Sequence, residues 1–341
     1  MRMNADVIDT ATLAAIPVDR RAVDRLAARG LLTVEAREEA LALIEPPRRW
    51  GLWASRLART LGTALVLAGI LYFFAFNWNQ IPPLTKLGAI AAMLAVACLT
   101  VGLAGFERPV SALASTAAVT LVGVFLAVAG QIYQTGADAW TLFAAWAGLT
   151  LAFALLAGSA ATWAVWIAVA AVALFTWWDQ AQPADAAFHT GRNLSLMALF
   201  GGALLIREVL AARGFAWAAP RWTRFFLALP LLAAATQLAF LLIEPSGNLG
   251  AERWAGLGFI GLALAAMAVV YRYRIPDVLM LAAVTLAACA IIDFALFRVL
   301  TAGRNRSEVA TFLLMGLATL ALFTAAVAGL RAVSRRMEPA R

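Results

Sequence analysis

The sequence predicts an all-α polytopic membrane protein, a bundle of about ten transmembrane helices preceded by a small helical hairpin. Three observations predict it. Apolar stretches follow one another from residue 60 to residue 330, each near the roughly 20 residues that a helix needs to cross a hydrocarbon core about 30 Å thick. Hydrophobic residues make up 63% of the 341 and charged residues only 13%, with a mean hydropathy of +0.84, well above soluble domains. Basic residues gather at alternate ends of the stretches, the pattern that short cytoplasmic loops impose.

The polar opening of nearly sixty residues has no short basic head followed by an apolar run and a small-residue cleavage site. The expectation is that the first span directs insertion without a cleaved signal peptide. Within the opening, residues 18–44 read as a helical hairpin. Asp19 is placed to cap a first helix whose Val23, Leu26 and Ala27 share a face, and Gly30 supplies a left-handed stop. Thr33 caps a second helix with Glu35 in its first turn and Ala36, Ala40, Leu41 and Ile44 as its stripe, and Pro46 and Pro47 end it. Two roles are open for the hairpin: packing on the lipid surface or the membrane bundle, or docking a protein partner. No recognition-helix signature points to nucleic acid.

The expected spans are 60–78, 84–106, 110–130, 140–157, 160–178, 194–210, 225–243, 254–271, 278–300 and 309–330, so the chain divides into a hairpin (1–47), a bundle (48–334) and a tail (335–341). The weakest junction is 157–160, where only Gly158 and Ser159 mark a turn. With the N-terminus inside, 21 of the 27 basic residues fall on the cytoplasmic face, among them Arg207, Arg213, Arg221, Arg224, Arg272 and Arg274. The opposite face keeps Lys86, Arg192, Arg253, Arg298, Arg304 and Arg306. Ten spans with both termini cytoplasmic follow. Nine of the 12 tryptophans, including Trp78, Trp140, Trp217 and Trp254, stand at expected span ends, where the indole ring favours the interface.

The net charge of +8 comes almost entirely from arginines dispersed over span ends, not from one patch, so it argues for orientation rather than nucleic-acid binding. Cys98 and Cys289 lie within apolar stretches, where a thiol acts as a small hydrophobe, so neither a disulfide framework nor a metal cluster is expected. No glycine-rich phosphate loop, dinucleotide fingerprint, zinc-protease or CxxC motif occurs, and no cofactor or catalytic constellation is expected. His189, the only histidine, reads as a loop residue four positions after Asp185, without a nucleophile motif beside it. The tetrapeptide Ala-Val-Ala-Gly occurs at 127–130 and 326–329, and Ile-Pro at 81–82 and 275–276. Inverted repeats of transporters leave traces of this kind, and so does chance in alanine-rich spans.

Polar side chains are costly in a bilayer, so the few present are the candidate sites. One cluster, around Asn77 and Gln80, follows the first span. A second, with Gln131, Tyr133, Gln134 and Asp138, follows the third. Both fall on the extracytoplasmic side of the threading. Their amides, phenol and carboxylate suit a small polar or sugar-like ligand beside aromatic rings. The alternative is interfacial capping of helix ends. Gln237 and Asp293 lie within spans, Asp293 either as a proton or cation site or as a partner of Arg298, and Gln237 either as part of the same cavity or as an interhelical bond.

The run FNWNQIPPLTKL at 76–87, followed by GQIYQTGADAWTLFAAWA at 130–147, resembles the bacterial membrane-protein family DUF2157, and the hairpin fits it as well. The resemblance covers about the first 150 residues. It implies a bacterial inner-membrane protein and carries no activity or catalytic residues. The expected function is binding or transport of a small polar solute in the lipid bilayer. The alternative is a membrane scaffold or sensory subunit acting through its hairpin, and an enzyme ranks below both.

Overall fold

A computed structural model describes residues 20–44, 78–106, 108–183, 188–244, 250–301 and 308–337, with isolated positions between 51 and 72. The expected first span, 60–78, lies largely outside the described residues, as do Asp19, Asn77 and Asp185. The chain forms two compact units, one of residues 1–81 with 339–341 and one of residues 82–338. Among the described residues every element is helical, and nine helices are long and apolar enough to cross a membrane.

In the first unit, α1 (Arg20–Ala28) and α2 (Val34–Ile44) are joined by a tight turn. Gly30 stands at φ 69°. Its N–H bonds the carbonyl of Ala27, and the N–H of Leu31 bonds that of Leu26, the paired bonds by which a glycine in left-handed conformation closes a helix. Thr33 Oγ1 accepts the N–H of Ala36 at 3.2 Å, satisfying one of the orphan donors that open α2. Arg37 of α2 reaches back to Asp24 of α1 at 2.7 Å.

The second unit holds α3 (Pro83–Ala104), α4 (Pro109–Tyr133), α5 (Ala139–Leu156), α6 (Ala160–Ala181), α7 (Phe188–Ala212), α8 (Arg221–Ile243), α9 (Ala251–Val269), α10 (Val278–Thr301) and α11 (Glu308–Met337). Each agrees with an expected span to within a few residues except at three places, one of them the end of α11, which runs to Met337, seven residues past the expected span and into the expected tail. The helix of His189 starts at Phe188, six residues before the apolar stretch, so His189 sits in its first turn and not in a loop. And α9 ends in a π turn, Val270–Arg274, a local widening that re-aims side chains. Proline at the first position of α3 and of α4 starts those helices, since its missing N–H is one that no helical carbonyl would have met.

Sequential helices pair as antiparallel neighbours, and α8 is the hub, packing on α7, α9, α10 and α6. Its Ala228, Ala234, Ala235 and Ala239 are buried. Such small side chains let helices approach closely where lipid removes the hydrophobic drive. Two buried clusters result. One gathers Leu232, Ala235 and Leu238 with Met197, Ile260, Leu264 and Val284. The other gathers Leu227 and Ala228 with Ile167, Phe200, Leu204, Tyr271 and Met280. Between α4 and α5, a Cβ at Gly123 would lie 2.3 Å from the ring of Trp146. The bare backbone lets that ring dock and donate its Nε1–H to the carbonyl of Val119 at 2.7 Å.

Candidate functional site

The polar residues singled out in the sequence fall in both units. Gln80 lies in the first unit, exposed, in a single 3-10 turn (Trp78–Gln80). In the second unit, Gln131, Tyr133, Gln134 and Asp138 are all exposed. Gln134 closes α4 in left-handed conformation, at φ 46°. Asp138 stands at the N-cap of α5, where its backbone carbonyl, not its carboxylate, holds the first turn by accepting from Thr141 Oγ1 at 2.6 Å. Gln237 is exposed on α8 and faces a groove shared with Phe240 and Leu286. Asp293 lies elsewhere, accepting a 2.6 Å hydrogen bond from Thr319 of α11. His189 has Arg192 as its neighbour, its Nδ1 3.4 Å from Nη2 of Arg192. Among the described residues no three His, Cys, Asp or Glu side chains group as a metal would need.

The densest polar arrangement stands at the other end of the bundle, where the sequence had suggested only topology-setting arginines. Four helices contribute. Glu208, on the last turns of α7, lies 2.6 Å from Nε of Arg224 on α8 and 2.8 Å from Nη1 of its own neighbour Arg207. Tyr271, turned inward by the π turn of α9, donates its hydroxyl to Glu208 Oε1 at 3.1 Å. Arg224 continues to Asp277 through Nη1 at 2.7 Å, and Arg221 meets the same carboxylate at 3.0 Å. The Arg224 guanidinium also lies over the Tyr271 ring, 5.4 Å from its centroid.

Asp277 sits just ahead of α10, after Pro276, and its Oδ1 accepts the N–H of Leu279 and of Met280 as an N-cap. Burial pushes its carboxyl up. The hydrogen bonds from Arg221 and Arg224, that from the Met280 backbone and the Arg221 charge outweigh burial and hold it below the ordinary aspartate range. Arg207, Arg224, Glu208 and Asp277 are two cations and two anions, and all four side chains are largely withdrawn from solvent. Desolvated charges are tolerated only in such pairs.

Beside this network lies a cavity of about 330 Å³ between α6, α7 and α8, with Trp163, Trp166, Trp217, Phe226, Arg207 and Thr223 among its walls. Trp163 stacks on Trp217 at 6.4 Å with rings 6° from parallel, and meets Trp166 edge-on at 5.6 Å. One donor here is orphaned: the indole N–H of Trp163 is buried and has no acceptor among the described residues, whereas those of Trp146, Trp166 and Trp178 each find one. Arg207 spends Nε on Thr223 Oγ1 and Nη2 on the carbonyls of Ala219 and Pro220. Its Nη1 is ion-paired with Glu208 Oε2 at 2.8 Å, though not aligned for a hydrogen bond. Both the indole and the guanidinium are donors only.

Sequence reasoning missed this site because it read Arg207, Arg221 and Arg224 as interchangeable charges of one face. The signal was present in two acids on that same face, Glu208 inside an apolar helix end and Asp277 in the cap position after Pro276.

Comparison with known proteins matches residues 24–163 to DUF2157, a family described as a predicted membrane protein. No curated protein and no solved structure matches the chain. The matched segment and the nine long apolar helices agree that this is a polytopic membrane protein. The ionic network lies beyond the matched residues.

Proposed function

We propose that this protein is a membrane-embedded binding protein for an amphiphile, an apolar molecule with one acidic head, taken between α6, α7 and α8. The observation that carries the reading is the coincidence of the unpartnered Trp163 Nε1 and the Arg207 guanidinium with one tryptophan-walled cavity. Ligand sites of this kind are concave, largely apolar and furnished with a few polar groups that fix orientation, and about 330 Å³ falls within their usual range. A carboxylate or phosphate oxygen suits a guanidinium and an indole N–H, and the tryptophan rings suit the apolar body.

The test is binding of oleate and of methyl oleate to the purified chain in non-ionic detergent, read by thermal shift. Oleate is expected to bind about tenfold or more tighter, since a hydrogen bond to a charged acceptor contributes about 1.5–3 kcal/mol. Gly202→Leu places a side chain in the cavity from a position where an added Cβ meets nothing within 4 Å, and is expected to remove the binding of both. Equal affinity for acid and ester, or unchanged binding by Gly202→Leu, would sink the reading.

A second reading places a small polar ligand at the other end of the second unit, at Gln131, Tyr133, Gln134 and Asp138. The exposure of Gln131, Tyr133, Gln134 and Asp138 favours it. Gln131→Ala with Asp138→Asn tests it. Loss of ligand protection at unchanged membrane abundance supports it, and unchanged protection removes it. The competing scaffold reading rests on the N-terminal hairpin. The threading we infer has ten spans and both termini on the cytoplasmic side of a bacterial inner membrane, supported by the distribution of the 27 basic residues.

A further inference from the structure

At the end of the bundle opposite the ionic network, a trough of about 910 Å³ runs between α8, α9 and α10. Its mouth is set by Arg253, in the first turn of α9, and Arg298, in the last turn of α10. The two helices are adjacent and antiparallel, so these turns share an end. Along its length the trough is apolar, with Leu257, Leu264 and Ile291 among its walls, and it reaches Thr285, whose hydroxyl is already spent on the carbonyl of Leu281. Trp254 is at the mouth and strongly exposed, as an interfacial anchor is.

A pair of arginines distinguishes this trough from the other apolar grooves, of which one carries the single Arg272. Arg253 donates to the carbonyl of Ile243. Neither Arg253 nor Arg298 has an acidic partner among the described residues, and the nearby Asp293 is engaged by Thr319. This is also the end poor in basic residues, so two arginines on one apolar trough are not explained by the general arginine bias of the chain. A guanidinium is a planar, multi-donor group matched to phosphate oxygens.

We infer that this trough holds one anionic phospholipid, its phosphate between Arg253 and Arg298 and an acyl chain along Leu257, Leu264 and Ile291. This site is separate from the cavity at Trp163, shares no lining residue with it, and takes its headgroup from the opposite leaflet. Its occupancy is independent of the amphiphile reading.

The experiment is titration of the full chain in dodecylmaltoside with phosphatidylglycerol, with phosphatidylcholine and with inorganic phosphate, read by native mass spectrometry and thermal shift. The expected result is retention of one phosphatidylglycerol in preference to phosphatidylcholine. Arg253→Gln with Arg298→Gln is expected to weaken it about thirtyfold, the effect of two basic groups at a lipid headgroup. Gly261→Leu fills the trough from a position where an added Cβ meets nothing within 4 Å, and is expected to weaken both phospholipids while leaving oleate binding at the Trp163 cavity intact. Equal retention of the two phospholipids, a matching thermal shift from inorganic phosphate alone, or an undiminished phosphatidylglycerol preference in the double variant would overturn the inference.

Discussion

Arg224 on α8 and Asp277 ahead of α10 meet at 2.7 Å across 53 positions of chain, with side chains only 10% and 1% exposed. Arg224 also holds Glu208 of α7, so one guanidinium ties three helices of the bundle. Removing one member of such a pair strands a charge where water does not reach. Asp277→Asn or Arg224→Gln is therefore expected to cost about 3–5 kcal/mol, read as loss of thermal stability of the purified chain in detergent. A change below about 1 kcal/mol would mean that the pair is solvated and contributes little.

The same aspartate predicts an acid dependence. Its carboxyl titrates below its ordinary value of 3.8 in the folded chain. The unfolded chain therefore binds this proton more readily, and the stability from Asp277 is fully present above the ordinary value. It is lost as pH falls through the lower folded value. Thermal melts between neutral pH and pH 3 are expected to show a steeper acid loss for wild type than for Asp277→Asn. Parallel curves would remove Asp277 from the account.

Tyr271, within the π turn that ends α9, reaches Glu208 through its hydroxyl. Tyr271→Phe keeps the buried ring and deletes one hydrogen bond to a charged acceptor, a loss of about 1.5–3 kcal/mol. Its destabilisation is expected to fall below that of Asp277→Asn, since no charge is stranded. An equal or larger loss would assign the hydroxyl a greater part than the geometry gives it.

These residues also mark where sequence reading stopped. The apolar stretches gave away the spans because a bilayer demands a length and a composition, and Gly30 and Thr33 gave away the hairpin turn because their chemistry is local. The ionic network is not local. Glu208, Arg224 and the stretch from Tyr271 to Asp277 come from separate parts of the chain, and each residue is unremarkable where it stands. Only the packing of α7 to α10 around the alanines of α8 turns four span-end residues into one buried group. The cavity at Trp163 was illegible for the same reason, since an orphaned indole N–H is defined by what its neighbours fail to supply.

Close packing makes a further prediction in α4. Gly123→Ala puts a Cβ 2.3 Å from Trp146, so the ring must shift and release the Val119 carbonyl. Overpacking of this kind costs about 1–3 kcal/mol. Gly102→Ala on α3 meets nothing within 4 Å and is expected to be neutral or to gain up to about 1 kcal/mol from helix propensity. Thermal melts of the two variants should therefore diverge in sign or size. Equal responses would mean that Trp146 yields without cost.

Orientation can be read from one stacking contact. Trp163 opens α6 just after the turn at Gly158 and stacks on Trp217 in the connection between α7 and α8. The α5–α6 turn and the α7–α8 connection therefore share an end of the second unit. Helix α5 runs into that turn, so Thr135, just before the start of α5, belongs to the opposite end. If the arginine-rich end is cytoplasmic, as we infer from basic-residue placement, a cysteine at Thr135 should react with an impermeant maleimide in spheroplasts. A cysteine at Arg213, exposed between α7 and α8, should react only after permeabilisation. Both are built on Cys98→Ala, Cys289→Ala to silence the native thiols. Labelling of Arg213→Cys in sealed cells with protection of Thr135→Cys would invert the topology, and labelling of both from one side would break the antiparallel arrangement itself.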